Sequence, residues 1–104
     1  DNTRVYLEAE EGILQTDTND IEFSGNVVIR NANYQLKTKR LSYEHEQRII
    51  FSNDPVQVSG DSVTLSARSL KYNLNLNTIL LSGRVEASIS RNFAAMSRIG
   101  SRRN

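Results

Sequence analysis

Val63-Thr64-Leu65-Ser66-Ala67 places an apolar residue at every second position. Stepping back by 29 positions, twice, recovers the same stretch as Tyr34-Gln35-Leu36-Lys37-Thr38 and as Val5-Tyr6-Leu7-Glu8-Ala9. Alternate side chains of an extended chain face opposite sides, so this is the pattern of a strand with one buried face. The step of 29 holds without a gap elsewhere: Ile21, Ile50 and Ile79; Val27, Val56 and Val85; Leu41 with Leu70; Tyr43 with Tyr72. Only the first copy departs, with Gly12 and Leu14 in the last two series. A fixed period of this kind means one structural unit used three times.

Turn-prone residues separate the apolar runs at Thr16 to Asp20, Asn31 to Asn33, Glu44 to Gln47, Asn53 to Pro55 and Asn73 to Asn77. Each copy therefore reads as about four short strands. One copy cannot cover its own apolar face, whereas three stacked in register share an interior between two sheets. Stacking leaves the outermost strands with unpaired backbone donors and acceptors, which another chain can use as a template. Gly25 and Gly83, in Phe23-Ser24-Gly25-Asn26-Val27 and Leu81-Ser82-Gly83-Arg84-Val85, mark tight corners where a positive φ is needed.

The chain has 104 residues, enough for one domain and too few for two independent ones. We place that domain at residues 1–90. Residues 91–104 form a basic tail with four arginines and with Phe93, Met96 and Ile99 three apart, expected to be disordered or a short helix. No run approaches the roughly twenty apolar residues of a membrane-spanning helix. A formal net charge of +1, without basic and aromatic residues interleaved along a strand, argues against nucleic acid as a partner. The absence of cysteine excludes disulfides and thiolate metal sites.

Candidate chemistry is sparse. His45, between Glu44 and Glu46, is the sole histidine; alternate residues point apart, and a solvated turn accounts for it better than a metal site. Glu8, Glu10 and Glu11, or Asp17 and Asp20, supply carboxylate pairs of the kind used in glycoside hydrolysis, but at undiagnostic spacing and without a nucleophile elbow or phosphate loop. The reading is therefore not an enzyme, with no cofactor and no metal. Lys37, Lys39 and Arg40, with Arg30 nearby, form the densest internal basic group, which could meet lipid phosphate but is better explained as keeping a sheet soluble and its edges unpaired.

The two glycine corners, together with Thr38-Lys39-Arg40-Leu41-Ser42-Tyr43 and Ala67-Arg68-Ser69-Leu70-Lys71-Tyr72, resemble the OstA-like lipopolysaccharide-transport family. The family pattern is a small residue, then Leu-x-Tyr, a polar turn, a hydrophobic strand and a Gly-x-Val step, and the likeness spans positions 4 to 90. The resemblance implies an all-β fold, a twisted open β-jellyroll of two antiparallel sheets. Its apolar interior would shelter the acyl chains of lipopolysaccharide. The expected lining is Leu7, Ile21, Phe23, Val27, Ile29, Leu36, Leu41, Tyr43, Val56, Val58, Leu65, Leu70, Tyr72, Ile79, Leu81 and Val85, some of it plain core. It also implies a periplasmic location and partners of three kinds: lipopolysaccharide, other jellyroll transport proteins joined edge to edge, and an inner-membrane ABC transporter. Asp54-Pro55-Val56 interrupts the glycine step in the middle copy and favours the membrane-anchored C component over the soluble bridge, the A component, with the anchor lying outside this chain. A structural β-repeat that assembles through its edges without lipid is the alternative.

Overall fold

The 29-residue period is written into the backbone. In the computed structural model, which describes residues 4–90, Asn19, Arg48 and Asn77 take left-handed φ angles of 67°, 58° and 55°. Each closes the tight turn of a hairpin, β2 (Glu11–Gln15) to β3 (Asp20–Arg30), β4 (Gln35–Glu44) to β5 (Ile49–Ser52), and, after β6 (Val56–Ser59) and β7 (Val63–Ala67), β8 (Ser69–Asn73) to β9 (Thr78–Ser82). β1 (Tyr6–Glu8) precedes this series and β10 (Glu86–Ile89) follows it.

All pairings are antiparallel, and they sort into two six-stranded half-sheets. The first runs β1, the second part of β3, the first part of β4, β6, β7 and β10. The other runs β2, the first part of β3, the second part of β4, β5, β8 and β9. β3 and β4 are long enough to belong to both, so they join the half-sheets along the N-terminal part of the fold. The expectation of an all-β open jellyroll is met, with ten strands because β3 and β4 each pass through a corner unbroken.

The corners explain the glycines. At Gly25-Asn26 and at Gly83-Arg84 two successive residues take left-handed φ, 85° and 47°, then 83° and 49°. The facing strand follows the corner by a shared donor: Glu10 N–H to the carbonyls of Ser24 and Gly25, Arg68 N–H to those of Ser82 and Gly83. In the middle copy Pro55, whose ring holds φ negative, stands where Asn26 and Arg84 stand in the others. Side chains hold that corner instead. Ser52, buried, has its hydroxyl 3.1 Å from that of Thr38 and accepts from the N–H of Asp54; Thr38 donates to the carbonyl of Pro55, and Arg40 pairs with Asp54 at 3.3 Å.

Register turns the repeat into rows of touching side chains. Across the first half-sheet, Leu7, Ile29, Leu36, Val58, Leu65 and Ala87 stand successively opposite one another. Across the second, Leu14, Ile21, Tyr43, Ile50, Tyr72 and Ile79 do so, with Gly12, Phe23 and Leu41, and then Ser52, Leu70 and Leu81, as shorter rows beside it. Residues of both half-sheets merge in one core of Val27, Ile29, Leu36, Leu41, Ile50, Val56, Val58, Ala67, Leu70 and Tyr72. Each such large side chain contributes about 1.5–3 kcal/mol by leaving water.

Candidate functional site

Where the half-sheets separate, a cleft of about 440 Å³ opens between Val58, Val63 and Leu65 on one wall and Tyr72, Ile79 and Leu81 on the other. Its volume lies within the range of small-molecule sites. The β3–β4 loop contributes Asn31, Asn33 and Tyr34 to its mouth, and Asn77 comes from the β8–β9 turn. The walls are apolar and the mouth is polar, the arrangement that suits an amphiphile.

Sixteen residues were expected to form an apolar lining, and the structure divides them. Val58, Leu65, Tyr72, Ile79 and Leu81 reach the cleft. Val27, Ile29, Leu36, Leu41, Val56 and Leu70 are buried in the shared core, where neighbouring side chains already surround them. Leu7, Phe23 and Tyr43 are half-buried against that core, Ile21 is half-buried in its row, and Val85 stands on the β9–β10 connection with 50% exposure. Leu41 and Leu70, only 2% and 3% exposed, are poor places to look for a ligand. Missing from the expected set were Val63 and Tyr34 of the cleft, Ile50 and Ala67 of the core, and the three asparagines of the mouth. Val63 and Ile50 belong to the 29-residue series and were readable there; the asparagines come together only through the fold.

Other candidates find structural roles. His45 is exposed; its Nδ1 lies 3.0 Å from the Tyr43 hydroxyl and its backbone N–H donates to Asp20. Among the carboxylates, Glu8 pairs with Arg30 at 3.1 Å, Glu10 accepts from Asn26, and Glu22 accepts from Ser42. Arg40 is held by Asp54 and Arg30 by Glu8 and Gln35, while Lys37 and Lys39 are exposed. Among the described residues no group of three or more histidine or acidic side chains converges as a metal site would require. Phe93, Met96, Ile99 and the tail arginines lie outside the described residues.

Comparison with known proteins places the chain. No curated protein sequence matches it. Among solved structures it is similar to the crystal structure of LptH, described as the LptA-homologous periplasmic component of the lipopolysaccharide transport device from Pseudomonas aeruginosa. That likeness has a TM-score of 0.45 and 10% identity, and covers 84% of this chain and 95% of that one. Residues 1–90 match the family described as LptC, lipopolysaccharide-assembly, LptC-related. With that match running through all three repeats, the chain belongs to the LptC-related lipopolysaccharide-assembly family, a periplasmic family of lipopolysaccharide transport.

Proposed function

We propose that this chain carries lipopolysaccharide by holding acyl chains in the cleft between its half-sheets and passing them to partners docked on its strand edges. The observation that carries the reading is the cleft itself: walls of Val58, Val63, Leu65, Ile79 and Leu81, in a member of a lipopolysaccharide-assembly family. Transfer of a lipid tail from water gains about 0.8 kcal/mol per methylene, so packing alone supplies affinity and no reacting group is required. An inner-membrane ABC transporter would supply the lipid, with the chain held nearby by an anchor outside these 104 residues.

Photo-crosslinkers test this directly. Placed at Leu65 or Ile79 they are expected to capture lipopolysaccharide, and placed at outward-facing Lys37 they are not. Equal labelling at all three positions would remove the internal cleft from the explanation, and no labelling anywhere would favour a structural module without lipid.

The edges support the second half of the reading. Among the described residues β1 and β2 each pair only with β3, β9 only with β8, and β10 only with β7. Exposed large apolar side chains gather there: Tyr6, Ile13 and Leu14 at one end, Leu76, Leu80, Val85 and Ile89 at the other. Backbone groups without partners beside apolar side chains are what strand addition uses.

A further inference from the structure

The mouth of the cleft is built around Tyr72, whose ring is 2% exposed and whose hydroxyl bridges two asparagines. The orientation of the Asn31 amide is fixed by the backbone. The N–H groups of Asn33 and Tyr34 both donate to Asn31 Oδ1, at 2.9 and 2.8 Å. A backbone N–H can only donate, so that atom is the oxygen and the amide nitrogen of Asn31 faces Tyr72. Asn31 Nδ2 donates to the Tyr72 hydroxyl at 3.2 Å, and the hydroxyl in turn donates to Asn77 Oδ1 at 3.3 Å. The Asn31 oxygen is thereby filled, and the Asn77 oxygen holds the Tyr72 hydroxyl. Free donors facing a ligand are the Nδ2 group of Asn77, which has no partner among the described residues, and the second hydrogen of Asn31 Nδ2, with the amide of Asn33 beside them.

The repeat shows that this arrangement is not a requirement of the module. One period earlier the tyrosine is Tyr43, and its hydroxyl meets His45 in an exposed turn; the position matching Asn77 is Arg48, while the one matching Asn31 is Asn2, outside the described residues. Among the described residues the asparagine pair occurs only where the half-sheets part. Among the described residues that line the cleft none carries a charge. Uncharged donors above an apolar slot match a neutral acceptor at the head of a hydrocarbon tail, whereas a phosphate or carboxylate would lose hydration there without a cation to replace it.

We infer that Asn31 and Asn77, oriented by Tyr72, form a neutral donor collar that binds the ester or amide carbonyl at which a lipid tail joins its headgroup. This rests on the cleft's accepting acyl chains, and specifies which end of the chain it reads. The collar would set how deeply a tail enters and would discriminate acyl lipids from plain hydrocarbon.

The test uses two fluorescent ligands with the whole chain: the methyl ester of cis-parinaric acid, which carries the carbonyl, and diphenylhexatriene, which has none. Asn77→Asp keeps an acceptor for Tyr72 and tolerates the left-handed φ but removes the donors; Asn77→Gly removes them without adding charge. Both variants are expected to weaken the ester by about three- to tenfold, the effect of one neutral hydrogen bond, and to leave diphenylhexatriene binding unchanged; thermal unfolding stays unchanged in Asn77→Asp, which keeps the acceptor for Tyr72, and falls in Asn77→Gly, which does not. Ester binding equal to wild type in both variants would overturn the collar while leaving the cleft in place, and a parallel loss of both ligands would reduce the asparagines to packing. Failure of the wild-type chain to bind diphenylhexatriene would instead remove the cleft reading itself. Displacement of the ester by inorganic phosphate would overturn the carbonyl assignment in favour of an anion.

Discussion

Glycine at position 83 is required by two separate facts. Its φ is +83°, and a Cβ built there would lie 2.9 Å from Cβ of Arg68 on the facing strand. Gly83→Ala is expected to cost about 1–2 kcal/mol in urea unfolding, the penalty of a left-handed L-residue. Gly12→Ala, where the nearest atom is the Phe23 ring at 3.6 Å, should change little. Arg48 offers the opposite case, holding φ 58° where the other two copies have asparagine. Arg48→Asn should stabilise by roughly 0.5 kcal/mol, seen as a higher urea midpoint at unchanged slope. The corner glycines were legible because no other residue type takes such angles freely. The Thr38–Ser52 fastening of the middle corner was not, because Ser52 reads as an ordinary polar turn residue until the fold buries it.

Period-two alternation marked the strands and the 29-residue step their stacking in register, and the pairing keeps that step, since every register can be carried from one copy to the next. The run of β3 and β4 through their corners escaped it: turn-prone residues mark where a chain bends, while continuity of pairing across the bend depends on the neighbour. That continuity places Ile29 against both Leu7 and Leu36 within the first half-sheet and under the second. Ile29→Ala should therefore cost about 2–5 kcal/mol, measured by chemical unfolding, because a side chain 1% exposed leaves a cavity its neighbours cannot fill. The same exchange at Ile13, 61% exposed on β2, is expected to be nearly neutral for stability. Ile13 stands in the outward row with Glu22 and Ser42, so the repeat separates it from Ile29, but alternation alone cannot separate the cleft wall from the packed core. Both groups face inward, and what distinguishes them is the distance between half-sheets, which no local pattern encodes.

Carrying the internal register one period further predicts how an edge would meet the next molecule. Leu80 would stand opposite Ile13 and Ile79 opposite Leu14, joining residues that are exposed or half-buried in the single chain. In the other half-sheet Ala87 would meet Leu7, but Glu86 would meet Glu8. Like charges directly opposite oppose pairing by roughly 0.2–1 kcal/mol, so this register disfavours copies of the same chain and favours a partner without an acid there. Glu86→Lys is accordingly expected to increase self-association in sedimentation velocity, and Leu80→Lys to abolish it. Because β9 and β10 at one end are unlike β1 and β2 at the other, contacts of this type are head-to-tail and do not close into a symmetric pair. A row of such molecules would have a front and a back, and order among unlike components would follow from which free edge each one still presents.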